Sequence, residues 1–206
     1  MKEHLEKQIY KKIEKEYDDF ISEMLKLSKE KIINNSYKIA VINEFKEFSI
    51  NIDCNLIELK ALSQEPNLLQ TFYRNWLKYD DVSLSYVTEI TINKITDRYM
   101  NILKEKMNKF SKLDLVKDIC EVLNYLDDNN NCDFIKEKFN VEEFSDEMVY
   151  LILKDRKGIK DLYYYLCEVV DIDYLADEKI LKNNNIEEKI LPKLKEEFKI
   201  KETIER

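Results

Sequence analysis

The feature that most constrains this chain is what it nearly lacks, with one glycine and two prolines among 206 residues where these two types ordinarily make up about 12%. Loops that cradle phosphates or dinucleotides need several glycines for close backbone approach, and tight hairpins use them for positive φ. Gly158 alone supplies neither. Charged residues make up 37% and apolar residues 44% of the chain, with Leu, Ile, Lys and Glu throughout. That balance predicts an all-α protein, an irregular multi-helix bundle of about nine to eleven helices. A chain this long buries roughly 70% of its unfolded surface, so it needs neither disulfide nor metal to fold.

No segment carries the roughly 20 uninterrupted apolar residues of a membrane helix. The N-terminus alternates charge with Leu5, Ile9 and Ile13 where a signal peptide would present an apolar core. The expectation is a cytoplasmic protein with no membrane partner. Cys54, Cys120, Cys132 and Cys167 lack the CxxC spacing of a zinc knuckle or redox pair, and they read as reduced, mostly buried thiols.

The net charge of −8 is unevenly divided. Residues 1–108 hold 17 Lys and Arg against 18 Asp and Glu, and residues 109–206 hold 17 against 24. We therefore read an N-terminal helical half, 1–108, and an acidic C-terminal half, 109–206, expected to pack together. An anionic surface repels phosphate backbones, which argues against direct nucleic-acid binding and favours a protein partner with a basic surface. The simpler alternative is that acidic helices keep the chain soluble.

Apolar residues at spacings of three and four run from Leu5 through Ile13, Tyr17, Phe20 and Met24 to Leu27, predicting one long helix. Ser28 caps a second, reaching Phe48, whose interruptions Ser36 and Glu44 mark a solvent-facing edge. Asp53 is a cap for a short helix through Leu62, and Pro66 fits the first turn of an aromatic helix holding Phe72, Tyr73, Trp76 and Leu77. A long helix from about Val82, with Asp80 and Asp81 as its caps, turns Val87, Ile90, Ile95, Tyr99, Ile102, Leu103 and Met107 inward.

In the second half Asp114 is the expected cap of a helix ending at the run Asp127 to Asn131, whose short polar side chains favour a turn. A brief helix, Phe134 to Phe139, follows. Ser145 caps the next, with Asp146 and Glu147 at its positive end, Lys154, Arg156 and Lys157 at its negative end, and Gly158 as a left-handed terminator. Then come an aromatic helix from Ile159 to Val170, another from Tyr174 to Leu181, a break at Asn183 to Asn185, and a terminal helix that Pro192 kinks or interrupts.

The stretches 53–81 and 145–171 share one plan: a capped short helix, a breaker at Pro66 or Gly158, and an aromatic helix ending in aspartate. Two related helical halves are one reading. The other is that any helical pair needs caps, a breaker and an apolar stripe. The segment IYKKIEKEYDDFISEMLKLSKEKIINNSYKIAVINEF with LKALSQEPNLLQTFYRNWLKYD, within residues 9–78, resembles a helical domain family of unknown function from phage and mobile elements of Gram-positive bacteria. The resemblance rests on Glu16-Tyr17 with Phe20, on Ser28, Glu30 and Ile32, on Tyr37, and on Pro66, Leu69, Tyr73, Trp76 and Leu77. It implies genomic company in which small proteins opposing host defences are common, and it carries over no enzymatic residue.

Little catalytic chemistry is available. The lone histidine, His4, lies beside the N-terminus. Helical carboxylate pairs such as Asp18/Asp19 project about 100° apart, and loop pairs such as Glu142/Glu143 lack the alternating oxygens and glycine of a calcium loop. No catalytic residue, metal site or cofactor is expected. Trp76 and its neighbours read as core. Tyr163, Tyr164 and Tyr165 fan around their helix, so at least one ring reaches the surface, where tyrosine is a frequent interface anchor. The leading expectation is a non-enzymatic protein-binding factor of a mobile element, an inhibitor of a bacterial defence nuclease such as a CRISPR effector. Its contact set would be Tyr164, Tyr165, Glu168, Asp171, Asp173, Asp177 and Glu178. The alternative is a structural or regulatory helical domain that self-associates or binds another mobile-element protein through the apolar edge of its first two helices.

Overall fold

Side chains, not glycines, set the helix boundaries. A computed structural model describes residues 2–49, 53–79, 82–128, 133–139, 141, 143–171 and 186–199. These form eleven α-helices and one π-helical turn, with no strand among the described residues. In order they are α1 (Lys2–Leu25), α2 (Lys29–Asn34), α3 (Ser36–Ser49), α4 (Leu56–Gln64), α5 (Leu68–Trp76), α6 (Leu84–Asn108), α7 (Leu113–Asp128), α8 (Asp133–Phe139), α9 (Asp146–Lys154), α10 (Arg156–Asp171), the π turn Ile186–Ile190, and α11 (Leu191–Phe198).

Ser28 and Ser145 cap as expected, each hydroxyl accepting from the amide three residues on, Lys31 and Met148. Other boundaries differ from the sequence reading. Asn55, not Asp53, starts α4, through a capping box in which its Oδ1 accepts from the Ile57 and Glu58 amides while the Glu58 carboxylate accepts from the Asn55 amide. Asp53 pairs instead with Lys2 at 3.2 Å. The expected second helix is broken at Asn35, whose Nδ2 donates to the Lys31 carbonyl at 2.8 Å and offers the backbone a local alternative. Pro66 precedes the cap residue Asn67 of α5 and stands outside its first turn. Asp114 lies inside the first turn of α7, and that helix runs on through Asp127 and Asp128. Asp80 and Asp81, Asn129 to Asn131, and the expected helix 174–181 with its Asn183 to Asn185 break lie outside the described residues.

Gly158 is not a terminator. It sits in the first turn of α10, and no glycine has positive φ among the described residues. Asp155 ends α9, and its carboxylate accepts from the Gly158 amide at 2.8 Å, capping α10. Arg156 and Lys157 therefore open α10 and do not close α9. Pro66 and Gly158 hold different positions, which removes the shared-breaker part of the repeat argument. Pro192 falls in the first turn of α11, where a missing N–H costs nothing, just past the π turn.

The chain divides within α6 into two compact units, Lys2–Asn101 and the part from Ile102 onward. In the first, α1 lies on α4 and α5, and α3 packs on α5. Leu5, Ile9 and Ile13 are the inward stripe of α1, facing a core that includes Phe45, Leu56, Leu62, Leu68 and Phe72. Phe45 stacks on Phe72 with ring centroids 5.2 Å apart and meets Trp76 edge-on at 6.0 Å. The first half of α6 faces inward along Val87, Ile92 and Ile95.

In the second unit α9 is packed by α7 and α10, and all six residues Met148 to Leu153 are buried. A helix apolar all round is a central helix. The π turn and α11 add Ile186, Ile190 and Leu194 against α7 and α10. Ile102, expected inward, is half exposed, because the buried line of α6 passes through Tyr99, Leu103 and Met107.

Cys54 and Cys120 are buried, Cys167 is half-buried, and Cys132 lies outside the described residues. Burial, assisted by neighbouring carboxylates, pushes the Cys54 and Cys120 thiols up to about 12. Since an unfolded thiol titrates near ~8.5, the folded state holds more protons between those values. The stabilisation is therefore complete below about pH 8.5 and is lost as pH rises toward 12. Cys54→Ala is expected to flatten the alkaline fall of stability, read as urea midpoints between pH 8 and 10. A fall as steep as in the parent chain would refute this.

Candidate partner-binding surface

The α10 side chains sort by helical position. Leu162, Tyr163, Tyr165, Leu166 and Val169 are buried, while Lys157, Lys160, Tyr164 and Glu168 face solvent. Tyr164 is 44% exposed and meets Tyr163 edge-on at 5.6 Å. Tyr165 is only 7% exposed. It belongs to the core stripe through Leu162 and Val169, so it cannot anchor a partner, and that part of the expected contact set is withdrawn.

Of the acidic members, Glu168 stands in solvent one turn beyond Tyr164. Asp171 closes α10, and Asp173, Asp177 and Glu178 lie outside the described residues. The exposed face is not uniformly acidic: it begins with Arg156, Lys157 and Lys160 and turns acidic only past Tyr164.

Sequence reasoning missed the contribution of α8. Lys138 reaches α10, with its ammonium 3.2 Å from Asp161 Oδ1 and 5.1 Å from the Phe134 ring centroid. Phe134 is 59% exposed. One exposed ring, Phe134, thus lies against the ion pair, and a second, Tyr164, stands three residues beyond Asp161 on α10. The signal was present in Phe134 and Lys138, one turn apart on a seven-residue helix too short to hide every face.

A second aromatic cluster lies in the first unit. Lys38 Nζ stands 5.3 Å from the ring centroids of both Phe20 and Tyr73, Lys46 sits over Tyr17, and Trp76 Nε1 donates to Tyr37 Oη at 2.7 Å. These contacts join α1, α3 and α5 through Tyr17, Phe20, Tyr37, Tyr73 and Trp76. Trp76 and Tyr73 are half-buried while Tyr37 and Leu77 are exposed, so the cluster is core on one side and surface on the other.

No group of three or more His, Cys, Asp or Glu side chains among the described residues is placed to hold a metal ion. His4 shares a hydrogen bond with Gln8 at an exposed position. No described helix is long and apolar enough to cross a membrane. Comparison with protein-family models, with curated proteins and with solved structures gives no match to this chain.

Proposed function

We propose that the chain is a non-enzymatic protein-binding factor of a mobile element, whose α8 and α10 face docks on a protein with a basic surface. The target it fits best is the nucleic-acid channel of a bacterial defence nuclease such as a CRISPR effector, which it would occupy in place of nucleic acid. The observation that carries this reading is two exposed rings, Phe134 against the Lys138–Asp161 ion pair and Tyr164 three residues past Asp161 on α10, with Glu168 one turn beyond. Desolvated aromatic anchors supply most of the affinity of such contacts, while rim charges speed association and make it salt-sensitive. The acidic surplus after residue 108 supplies that field.

Tyr164→Ala is expected to weaken partner binding at least tenfold while leaving thermal stability within about 0.5 kcal/mol. Tyr165→Ala is the contrast, since truncating a buried ring costs stability directly. The test is a pull-down from host lysate with each variant, followed by salt titration and a nuclease assay on the partner recovered. Binding indifferent to Tyr164 and to salt, or a recovered partner without nuclease activity, would sink the proposal.

A further inference from the structure

Helix α10 carries its charges the wrong way round for its own dipole. Arg156, Lys157 and Lys160 stand toward its positive end and Glu168 and Asp171 toward its negative end, with no acid in the first turn and no base in the last. A helix favours the opposite arrangement. Nor does α10 neutralise these charges internally. Three or four residues from Lys160 lie only Arg156, Lys157, Tyr163 and Tyr164, and from Glu168 only Tyr164, Tyr165, Asp171 and Ile172. Neither has an opposite charge at the spacings that make pairs on a helix. Asp161, the acid one turn from Lys157, is taken by Lys138 at 3.2 Å. Lys157, Lys160 and Glu168 are exposed and have neither a hydrogen bond nor an ion pair with any described residue.

The pattern has a centre. Tyr164, 44% exposed, lies midway along this 16-residue helix. Lys160 stands one turn before it and Glu168 one turn after, each about 6 Å away along the axis. Lys157 and Asp171 repeat the relation in the sequence at seven residues. With about 100° between successive residues, Lys157, Lys160, Tyr164 and Glu168 fall within one stripe roughly 80° wide. A half-turn about an axis through Tyr164 therefore brings Lys160 of one copy onto Glu168 of another, twice over, and sets one Tyr164 ring against its twin. Parallel pairing would instead oppose lysine to lysine and glutamate to glutamate.

We propose that this face of α10 pairs with the same face of a second copy of the chain, antiparallel and two-fold symmetric about Tyr164. The bases of each copy then lie beside the negative end of its neighbour, and Glu168 beside the positive end, so the charges that oppose their own helix suit the adjoining one. A face about 24 Å long is small against the ~800 Å² per partner of a standard interface. The dimer accordingly belongs to the weak, reversible class, with a dissociation constant on the order of 10–100 µM. It covers Tyr164 and so excludes the protein partner proposed above, but it does not rest on that reading.

Sedimentation velocity of the purified full chain, over a hundredfold range of concentration, should show a reversible monomer–dimer equilibrium. Lys160→Glu and Glu168→Lys should each weaken it at least tenfold, since each opposes like charges twice. Both substitutions are at exposed positions and suit the dipole of α10 better than the parent residues do, so folding is not at stake. An equal mixture of the two variants should regain association close to the parent's, as should Lys160→Glu/Glu168→Lys in one chain. A parent chain monomeric throughout the range, a dimer indifferent to both reversals, or a mixture no more associated than its components would each overturn the proposal. None of these results bears on partner capture from lysate, so the two readings fail separately.

Discussion

Phe45→Ala is expected to cost about 3–5 kcal/mol, the largest effect of any single truncation considered for this chain. The ring is 1% exposed, stacks on Phe72 and receives the edge of Trp76. Truncation forfeits the transfer energy of the ring and both aromatic contacts. The cavity left would be lined by Phe72 and other fully buried core side chains such as Leu56 and Leu68. Urea unfolding followed by Trp76 fluorescence reads this unit, and circular dichroism reads the whole chain. Because the chain divides into two compact units, the two probes need not coincide. The variant's fluorescence midpoint should fall well ahead of the parent's, with the circular-dichroism curve shifted less. A change below about 1 kcal/mol would mean that neither the burial of this ring nor its stack stabilises the unit.

The helical class and most helix positions were legible because period and capping chemistry are local. Ser28 and Ser145 are short polar side chains directly before an apolar stripe. The Asn55 cap was legible too: Asn55 is followed three residues later by Glu58, the capping-box spacing, whereas Asp53 has Leu56 there. The burial of Tyr165 was also available, since it shares a stripe with Leu162 and Val169, while Tyr164 shares one with Lys157, Lys160 and Glu168. Gly158 misled for a different reason. Its rarity invited a terminator, but an aspartate three residues earlier can cap the next helix with the same amide, and the two outcomes differ by one side-chain hydrogen bond. What no local pattern holds is contact across the chain. The meeting of Phe134, Lys138 and Asp161 and the clustering of Tyr17, Phe20, Tyr37, Tyr73 and Trp76 depend on which helices become neighbours.

The second large expected effect belongs to such a contact. Lys12 and Glu16, one turn apart on α1, serve opposite ends of two other helices. The Lys12 ammonium donates to the carbonyls of Leu62, at 3.4 Å, Ser63, at 3.1 Å, and Glu65, at the negative end of α4. Glu16 Oε2 accepts from the Leu69 amide at 2.9 Å, at the positive end of α5, where Asn67 makes no side-chain cap of its own. One turn of α1 thus caps both sides of the break around Pro66, with each charge matched to a helix dipole. Glu65 adds to the junction, accepting from Thr71 Oγ1 at 2.8 Å and from Arg98 at 3.0 Å. Desolvation lowers the Lys12 pKa, and the nearby Glu16 and Glu65 charges oppose that fall.

Removing one partner leaves the other's charge partly buried and orphans the backbone groups it served. Glu16→Ala is therefore expected to cost about 2 kcal/mol and Lys12→Met about 2–3 kcal/mol. Glu16→Gln keeps an acceptor for the Leu69 amide and should lose less than Glu16→Ala. The double variant Lys12→Met/Glu16→Gln should cost less than the sum of its singles by about 1 kcal/mol, since each single strands a charge that the double removes. The measurement is a double-mutant cycle by urea denaturation read at Trp76. Strict additivity would mean that the two residues cap their helices independently, with no coupling across the Pro66 break.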